Sequence, residues 1–416
     1  MDLDWHADRT DLNDLALLDT EDAGEPIDLV AVRAYRLARV RAEMAKRGIA
    51  ACVLHDQVNI RYATGARNMQ IFSSRNTGRY LLLTEHDAIL YEFTGAMHLA
   101  DGLETITEVR PAITASFVAA GEKIAEREIF WARETAAALR ALVGPRVTIG
   151  VERMNAGAAA ALTAEGFRLV DAQEPVEMAR SIKSSEEMKC VRASLRATEK
   201  GVEKLRAAIR PGLTENALWS VLHQTVIALD ADYVETRLLN SGPRTNPWFQ
   251  ETGTRVIGPN ELIALDTDVV GCHGYYADFS RTFHSGPDKP SAKQRELYKT
   301  AHAQVHYNMG IIKPGMTFRD YADRAWDIPE KYFANRYYLS SHGVGMTGEY
   351  PYLYHRADFP DAGYDGVIEP GMTLCVESFI GEETGGEGVK LEQQILVTDT
   401  GIELLSHFPF EDALLA

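Results

Sequence analysis

Four carboxylates and one imidazole between residues 266 and 392 set the chemistry this chain can do. Asp266 and Asp278 lie in Leu265-Asp-Thr-Asp-Val-Val-Gly-Cys-His-Gly-Tyr-Tyr-Ala-Asp-Phe-Ser-Arg-Thr-Phe. His342 stands in Ser341-His-Gly-Val-Gly, Glu377 in Cys375-Val-Glu-Ser and Glu392 in Lys390-Leu-Glu-Gln-Gln. Each sits in or beside an apolar, strand-like run that would bury it. A buried carboxylate is costly unless it is paired or bound to metal. Four brought together would hold protons tightly unless cations neutralised them. The pattern therefore predicts a site for two divalent metal ions. A donor set rich in carboxylates suits Fe, Mn, Zn or Co without choosing among them.

The elements that must position these residues can be read from periodicity. Residues 1–26 are polar and acidic and are expected to form an extended arm. From Asp28 a helical pattern runs through Val30, Val32, Leu37, Val40 and Met44 and stops at Gly48. Strand-like runs follow at 49–54, 80–83, 88–93 and 147–151, with helical segments at 130–142 and 156–166. This alternation predicts an α/β domain over residues 27–180. Ser184 or Ser185 with Glu186 and Glu187 marks the start of a long helix, so a second domain is expected over 181–416. Within it, helices at 185–209, 215–229, 292–312 and 318–326 alternate with the strands that carry the acids.

Composition narrows the partners. A hydrophobic fraction of 45% and a charged fraction of 25% are those of a globular protein with a large core. The formal net charge of −17 argues against nucleic acid and anionic membrane surfaces, both of which need basic patches. No run approaches the roughly 20 apolar residues of a membrane span. The cysteines Cys52, Cys190, Cys272 and Cys375 lack paired spacing, which fits free thiols in a reducing compartment. A cytoplasmic location and a small-molecule substrate are the expectation.

The order Asp, Asp, His, Glu, Glu resembles the pita-bread family of methionine aminopeptidase, aminopeptidase P, prolidase and creatinase. Asn59-Ile-Arg-Tyr-Ala-Thr-Gly, Arg180-Ser-Ile-Lys-Ser-Ser-Glu-Glu, Tyr276-Ala-Asp-Phe-Ser-Arg-Thr-Phe and Glu369-Pro-Gly-Met extend the likeness. The resemblance implies an α/β creatinase-like N-terminal domain and an α+β pita-bread catalytic domain with a curved antiparallel sheet. It also implies a dinuclear metal centre and a homodimer. The family's peptidases carry further histidines that grip substrate and move protons. Trp248 and Phe249 stand where one is expected, and no histidine follows His342 until His355. Without those proton carriers, ordinary Xaa-Pro peptidase chemistry is disfavoured.

A narrower resemblance is to the dimethylsulfoniopropionate (DMSP) lyases of this fold, which split DMSP into dimethyl sulfide and acrylate at an iron-type centre. It is carried by Asn68-Met-Gln, Glu235-Thr-Arg-Leu-Leu-Asn-Ser-Gly-Pro-Arg-Thr-Asn-Pro-Trp-Phe-Gln, Asp266-Thr-Asp, Gly363-Tyr-Asp-Gly-Val and Phe408-Pro-Phe-Glu-Asp-Ala-Leu. It implies Asp268, where most of the family has glycine, as a further ligand. Phe72 is expected in place of a tryptophan that faces the sulfonium, and Glu152 in place of an aspartate. Gly348 replaces the aspartate that takes the α-proton, so Glu349 is expected to stand in as base, or else Tyr337 or Tyr338. Trp248 is expected to share the onium contact. Arg281 is expected to brace the site by pairing with a carboxylate. The alternative on the same scaffold is a hydrolase of a C–N bond in a betaine-like, amidine or Xaa-Pro substrate, with Glu377 as both ligand and proton carrier. A non-catalytic binding protein is the third reading, and the survival of all five ligands speaks against it.

Overall fold

A computed structural model describes residues 24–416. Most of the arm expected over 1–26 lies outside the described residues. The described chain divides into two compact units, one of residues 28–180 and one of residues 24–27 with 181–416.

The first unit is built on a six-stranded mixed sheet. In chain order its strands are β1 (Ala51–Leu54), β2 (Tyr80–Thr84), β3 (Ala88–Glu92), β4 (Glu108–Pro111), β5 (Thr148–Val151) and β6 (Arg168–Asp171). Their spatial order is β4-β3-β2-β1-β5-β6. Alternate residues Ala51, Val53, Tyr80 and Leu82 pack with Trp131, Ala136 and Leu139 of the helix Ile124–Val143, as the period of two in a strand requires. That helix begins six residues before the apolar pattern at 130–142, because its first turns are exposed and carry no periodic signal. β1, β2 and β3 are buried along their whole length. Inside this core Arg79 pairs with Glu92 and donates to Gln57 Oε1 at 2.7 Å.

The second unit is antiparallel throughout. β7 (Tyr233–Val234), β10 (Val269–Val270) and β11 (Tyr276–Ala277) form one small sheet, and β8 (Leu239–Ser241), β9 (Leu262–Asp266) and β12 (Ser280–His284) another. The largest sheet runs β14 (Gly348–Leu353), β13 (Ser341–Val344), β15 (Thr373–Gly381), β16 (Gly388–Val397) and β17 (Ile402–Leu404). Two helices, Ser185–Ala208 and Ala292–Ile311, each open on a capping box, Ser184 with Glu187 and Ser291 with Gln294. The second of them fixes the orientation of β15 and β16. Its Leu297, Ala301 and Val305 share a core with Leu374, Val376 and Ile380 of β15 and with Val389, Leu391 and Ile395 of β16. Successive strand residues point to opposite faces. Burying these apolar positions therefore turns Cys375, Glu377, Lys390 and Glu392 the other way, together.

Replacing Arg79 with leucine should leave Glu92 charged and uncompensated in the first unit's core. The expected cost is about 3–5 kcal/mol, read as a shift in the urea unfolding midpoint against wild type.

Candidate metal centre

Strand register, rather than proximity in sequence, assembles the acidic cluster. Glu377 and Glu392 are direct cross-strand partners on β15 and β16. His342 on β13 lies opposite Cys375 on β15. Asp266 ends β9 opposite Ser280, and Asp278 enters just before β12. All are buried. One ligand atom each from Asp278, His342, Cys375 and Glu392 lies within 4.8 Å of the others, and Asp266, Asp268 and Asp278 form a second such group.

His342 Nδ1 contacts its neighbouring carbonyl, Gly343 O, at 2.9 Å, so the ring's hydrogen sits there. Nε2 is left facing Glu392 Oε1 at 3.4 Å, Glu377 Oε1 at 3.5 Å and Asp278 Oδ2 at 3.7 Å. That is the orientation in which an imidazole binds metal. Lys390 is buried among the same groups, its Nζ 3.1 Å from Asp266 Oδ2, 2.9 Å from Glu377 Oε2 and 3.1 Å from Glu392 Oε2. Sequence reasoning passed over this lysine. The signal was its place two residues before Glu392, hence on the same face of one strand.

One ammonium does not satisfy five carboxylates. Asp278 Oδ1, Glu377 Oε1 and Glu392 Oε1 are buried and accept no hydrogen bond from the described residues. Burial pushes the Asp266, Asp268 and Asp278 carboxyls up, reinforced for the last two by their acidic neighbours. Burial likewise lifts Glu377 to about 8. Burial would also raise Glu392, but Lys390 and His342 hold it below the usual carboxylate range. Burial would lower His342, yet Glu392 and Glu377 raise it to about 9. Five converging carboxylates, four of which resist ionisation and three of which carry unpartnered oxygens, fit divalent cations. Asp268 sits at φ 41°, in the left-handed region that glycine favours and aspartate tolerates, and its carboxylate accepts from the Thr236 hydroxyl.

A cavity of about 460 Å³ opens onto the cluster. Its lining includes Asp266, Asp268, Asp278, His342, Glu377 and Glu392 together with Phe249, Tyr337, Tyr338 and Tyr352. Glu235, Glu251 and Arg237 add charge to the wall. Phe249 lies against Tyr337 and Tyr338 with its ring tilted to theirs, the centroids 5.1 and 6.1 Å apart.

Several expectations are corrected by this geometry. Glu349 does not face the cavity. It lies on the opposite face of β14 from Gly348 and is paired with Lys183, Nζ to Oε1 2.5 Å, both side chains buried. Gly348 lines the cavity in its stead, and a Cβ there would have His342 Nδ1 at 4.0 Å as its nearest neighbour. Trp248 packs in the core with Leu238, Ala264 and Phe379, while Phe249, at φ 71°, turns into the cavity. Glu152 belongs to the first unit, where it accepts from Asn59 Nδ2 at 2.8 Å and from the Asp56 amide at 3.1 Å, so it is committed to structure. Phe72 is not among these corrections: it stands in the first unit on the short helix Gln70–Arg75, exposed, and its expected onium contact stays a proposal. Arg281 pairs with no carboxylate among the described residues. It donates to the carbonyls of Ser280, Glu392 and Phe408 and to Gln393 Oε1. Tyr337 does line the site.

Comparison with known proteins adds independent findings. Residues 189–399 match the model of metallopeptidase family M24, and residues 36–182 that of the creatinase/prolidase N-terminal domain. The chain is 34% identical over 420 residues to the dimethylsulfoniopropionate lyase DddP of Roseobacter denitrificans, covering 99% of this chain and 90% of that protein. It is 33% identical to the lyase of the same name from Roseovarius nubinhibens, covering 93% and 88%. Among solved structures, an Xaa-Pro dipeptidase from Bacillus anthracis aligns with a TM-score of 0.74 at 22% identity, over 91% of this chain and 99% of its own. Prolidase from Pyrococcus furiosus aligns at 0.69 and 19% identity, over 88% and 98%. At these identities the structural likeness is one of fold, a two-part α/β and antiparallel pita-bread architecture.

Protons and cations compete for the same oxygens. Metal loading should therefore tighten as pH rises through about 8, where Glu377 gives up its proton, and loading should release protons. Elemental analysis after equilibration across that range tests the sign. Asp278→Ala, which removes the residue common to both ligand groups, should bring bound metal near zero.

Proposed function

The chain belongs to metallopeptidase family M24 and carries that family's creatinase/prolidase N-terminal domain, and from that premise we propose that it is a metal-dependent lyase. Its substrate is a small carboxylate-bearing onium compound, DMSP in the first instance, and its products are dimethyl sulfide and acrylate. Relatives named for that activity align along almost the whole chain. One observation carries the reading further. The cavity lining combines aromatic rings with the acidic cluster, and His342 is the one histidine in it among the described residues. Aromatic faces attract a sulfonium or ammonium centre. A wall with a single imidazole, itself a metal donor, offers no separate neutral-pH proton carrier of the kind peptide hydrolysis would use.

Asp266, Asp268, Asp278, His342, Glu377 and Glu392 would hold two divalent ions, iron by resemblance, which supply positive charge for the substrate carboxylate and for the charge that develops as the α-proton leaves. The chain's own groups do the rest. Phe249 and Tyr352 present ring faces to the onium end. Burial pushes the hydroxyls of Tyr337 and Tyr338 up, so both stay protonated and serve as hydrogen-bond donors to the substrate carboxylate rather than as bases. With Glu349 bound to Lys183, the proton acceptors left on the wall outside the ligand set are Glu235, which accepts from the Tyr276 hydroxyl, and Glu251. The carboxylate takes the α-proton, the C–H pair becomes the new C–C π bond, and the C–S pair leaves on sulfur. A homodimer is part of this reading.

The deciding experiment is headspace detection of dimethyl sulfide from DMSP with protein shown to hold two metals. Enzymatic release supports the lyase. Its absence redirects the search to C–N hydrolysis of betaine-like, amidine or Xaa-Pro substrates. Position 348 offers a sharper check. It faces the site with room for a side chain, so Gly348→Asp should raise kcat/KM for DMSP at least about tenfold by supplying a base. Unchanged or lower kcat/KM with metal content intact would exclude a missing base at that position.

A further inference from the structure

Three rings of the cavity lining keep much of their surface open. Phe249, Tyr338 and Tyr352 are 54%, 48% and 36% exposed. They do not lie flat on one another. Tyr338 meets Phe249 at 42° with centroids 6.1 Å apart, and Tyr352 at 75° with centroids 6.3 Å apart. Their neighbour Tyr337 already carries a cation, for Lys390 Nζ lies 4.8 Å from its ring centroid. Glu235 and Glu251 add negative charge to the same lining. Gly348 shares the exposed face of β14 with Tyr352, and among the described residues a Cβ there would meet only His342 Nδ1, at 4.0 Å. Its φ lies outside the left-handed region, so the backbone does not call for glycine. Glycine weakens a strand, and where no bend requires it, it marks the close approach of a ligand. What position 348 contributes is room.

Aromatic faces recognise an onium centre by its charge and size rather than by the atom that bears the charge. A dimethylsulfonium group presents its methyl groups and a lone pair, whereas a trimethylammonium group has a further methyl in place of that lone pair. We propose that the same site also acts as a carbon–nitrogen lyase on β-trimethylammonio carboxylates, with Gly348 giving the further methyl its space. The inference rests on the lyase reading above and widens its substrate class to β-onium carboxylates. The bonds change as in the sulfur case. A carboxylate of the lining takes the α-proton, the C–H pair becomes the new C–C π bond, and the C–N pair leaves on nitrogen. β-Trimethylammoniopropionate thus gives trimethylamine and acrylate, and no oxidant or reductant takes part. An amine is a poorer leaving group than a thioether, so turnover is expected to be slower than with DMSP.

The test gives β-trimethylammoniopropionate and DMSP in parallel to full-length protein shown to hold two metals, and measures trimethylamine, dimethyl sulfide and acrylate against enzyme-free controls. The expected result is trimethylamine and acrylate in equal amounts. Gly348→Ala should lower the ratio of kcat/KM for the ammonium substrate to that for the sulfonium substrate by about tenfold, because the added methyl takes up the room. The all-carbon isostere, with a quaternary carbon in place of nitrogen, should compete with DMSP at least about threefold less well than the ammonium compound does. Dimethyl sulfide without trimethylamine overturns the carbon–nitrogen activity and leaves the lyase reading standing. Neither product overturns both. Trimethylamine alone upholds the activity and removes DMSP as the substrate. A ratio unmoved by Gly348→Ala sinks the role of Gly348, and equal competition by the isostere sinks recognition of the charge by the rings.

Discussion

Repulsion among buried carboxylates is the constraint on which the rest of this structure depends. Five of them converge in one buried cluster, and four resist ionisation for that reason. Lys390 offsets part of the charge from within the cluster. The backbone holds the acids together regardless, because their strands are pinned from behind. The apolar residues of β15 and β16 bury against the helix Ala292–Ile311, and the period of a strand then leaves the acids no other direction. Hydrophobic burial on one face thus sustains the electrostatic tension on the other, and cations are what that tension selects.

The same site shows where strain is tolerated. Asp268 and Phe249 both occupy left-handed backbone. For aspartate the cost is small, but for a bulky aromatic it is an outlier. In both cases the conformation serves the cavity. Asp268 joins the carboxylate cluster, and Phe249 turns its ring toward Tyr337 and Tyr338 instead of following Trp248 into the core.

Much of this is legible in the sequence, and the failures have a common cause. Asp266, Asp278, His342, Glu377 and Glu392 stand out because an acid inside an apolar strand pattern must be neutralised once the strand is buried. The boundary near Arg180 and the helix after Ser184 follow from capping chemistry that is local. Facing is another matter. Spacing alone puts Glu349 and Trp248 in the cavity, and in each case the neighbour, Gly348 or Phe249, is there instead. A register shift between His342 and Gly343 sets how β14 meets β13, and a positive φ sets Phe249. Neither a bulge nor a left-handed phenylalanine can be read from spacing. Glu152 fails differently, since Asn59 and the Asp56 amide, distant in sequence, claim its carboxylate. Lys390 is legible by parity with Glu392, two residues along one strand.

Arg281 ties the back of the site to a distant stretch of chain. Its guanidinium spans the carbonyls of Glu392 and Phe408, lies over the Phe410 ring at 4.3 Å, and has no acid partner among the described residues. Glu411 is in turn paired with Arg206. The backbone behind Glu392 is thus buttressed by residues 408–411. The strand that carries Glu392 is therefore held from behind by the docking of residues 408–411 as well as by its own register, so a change in that segment reaches the acidic cluster without touching it.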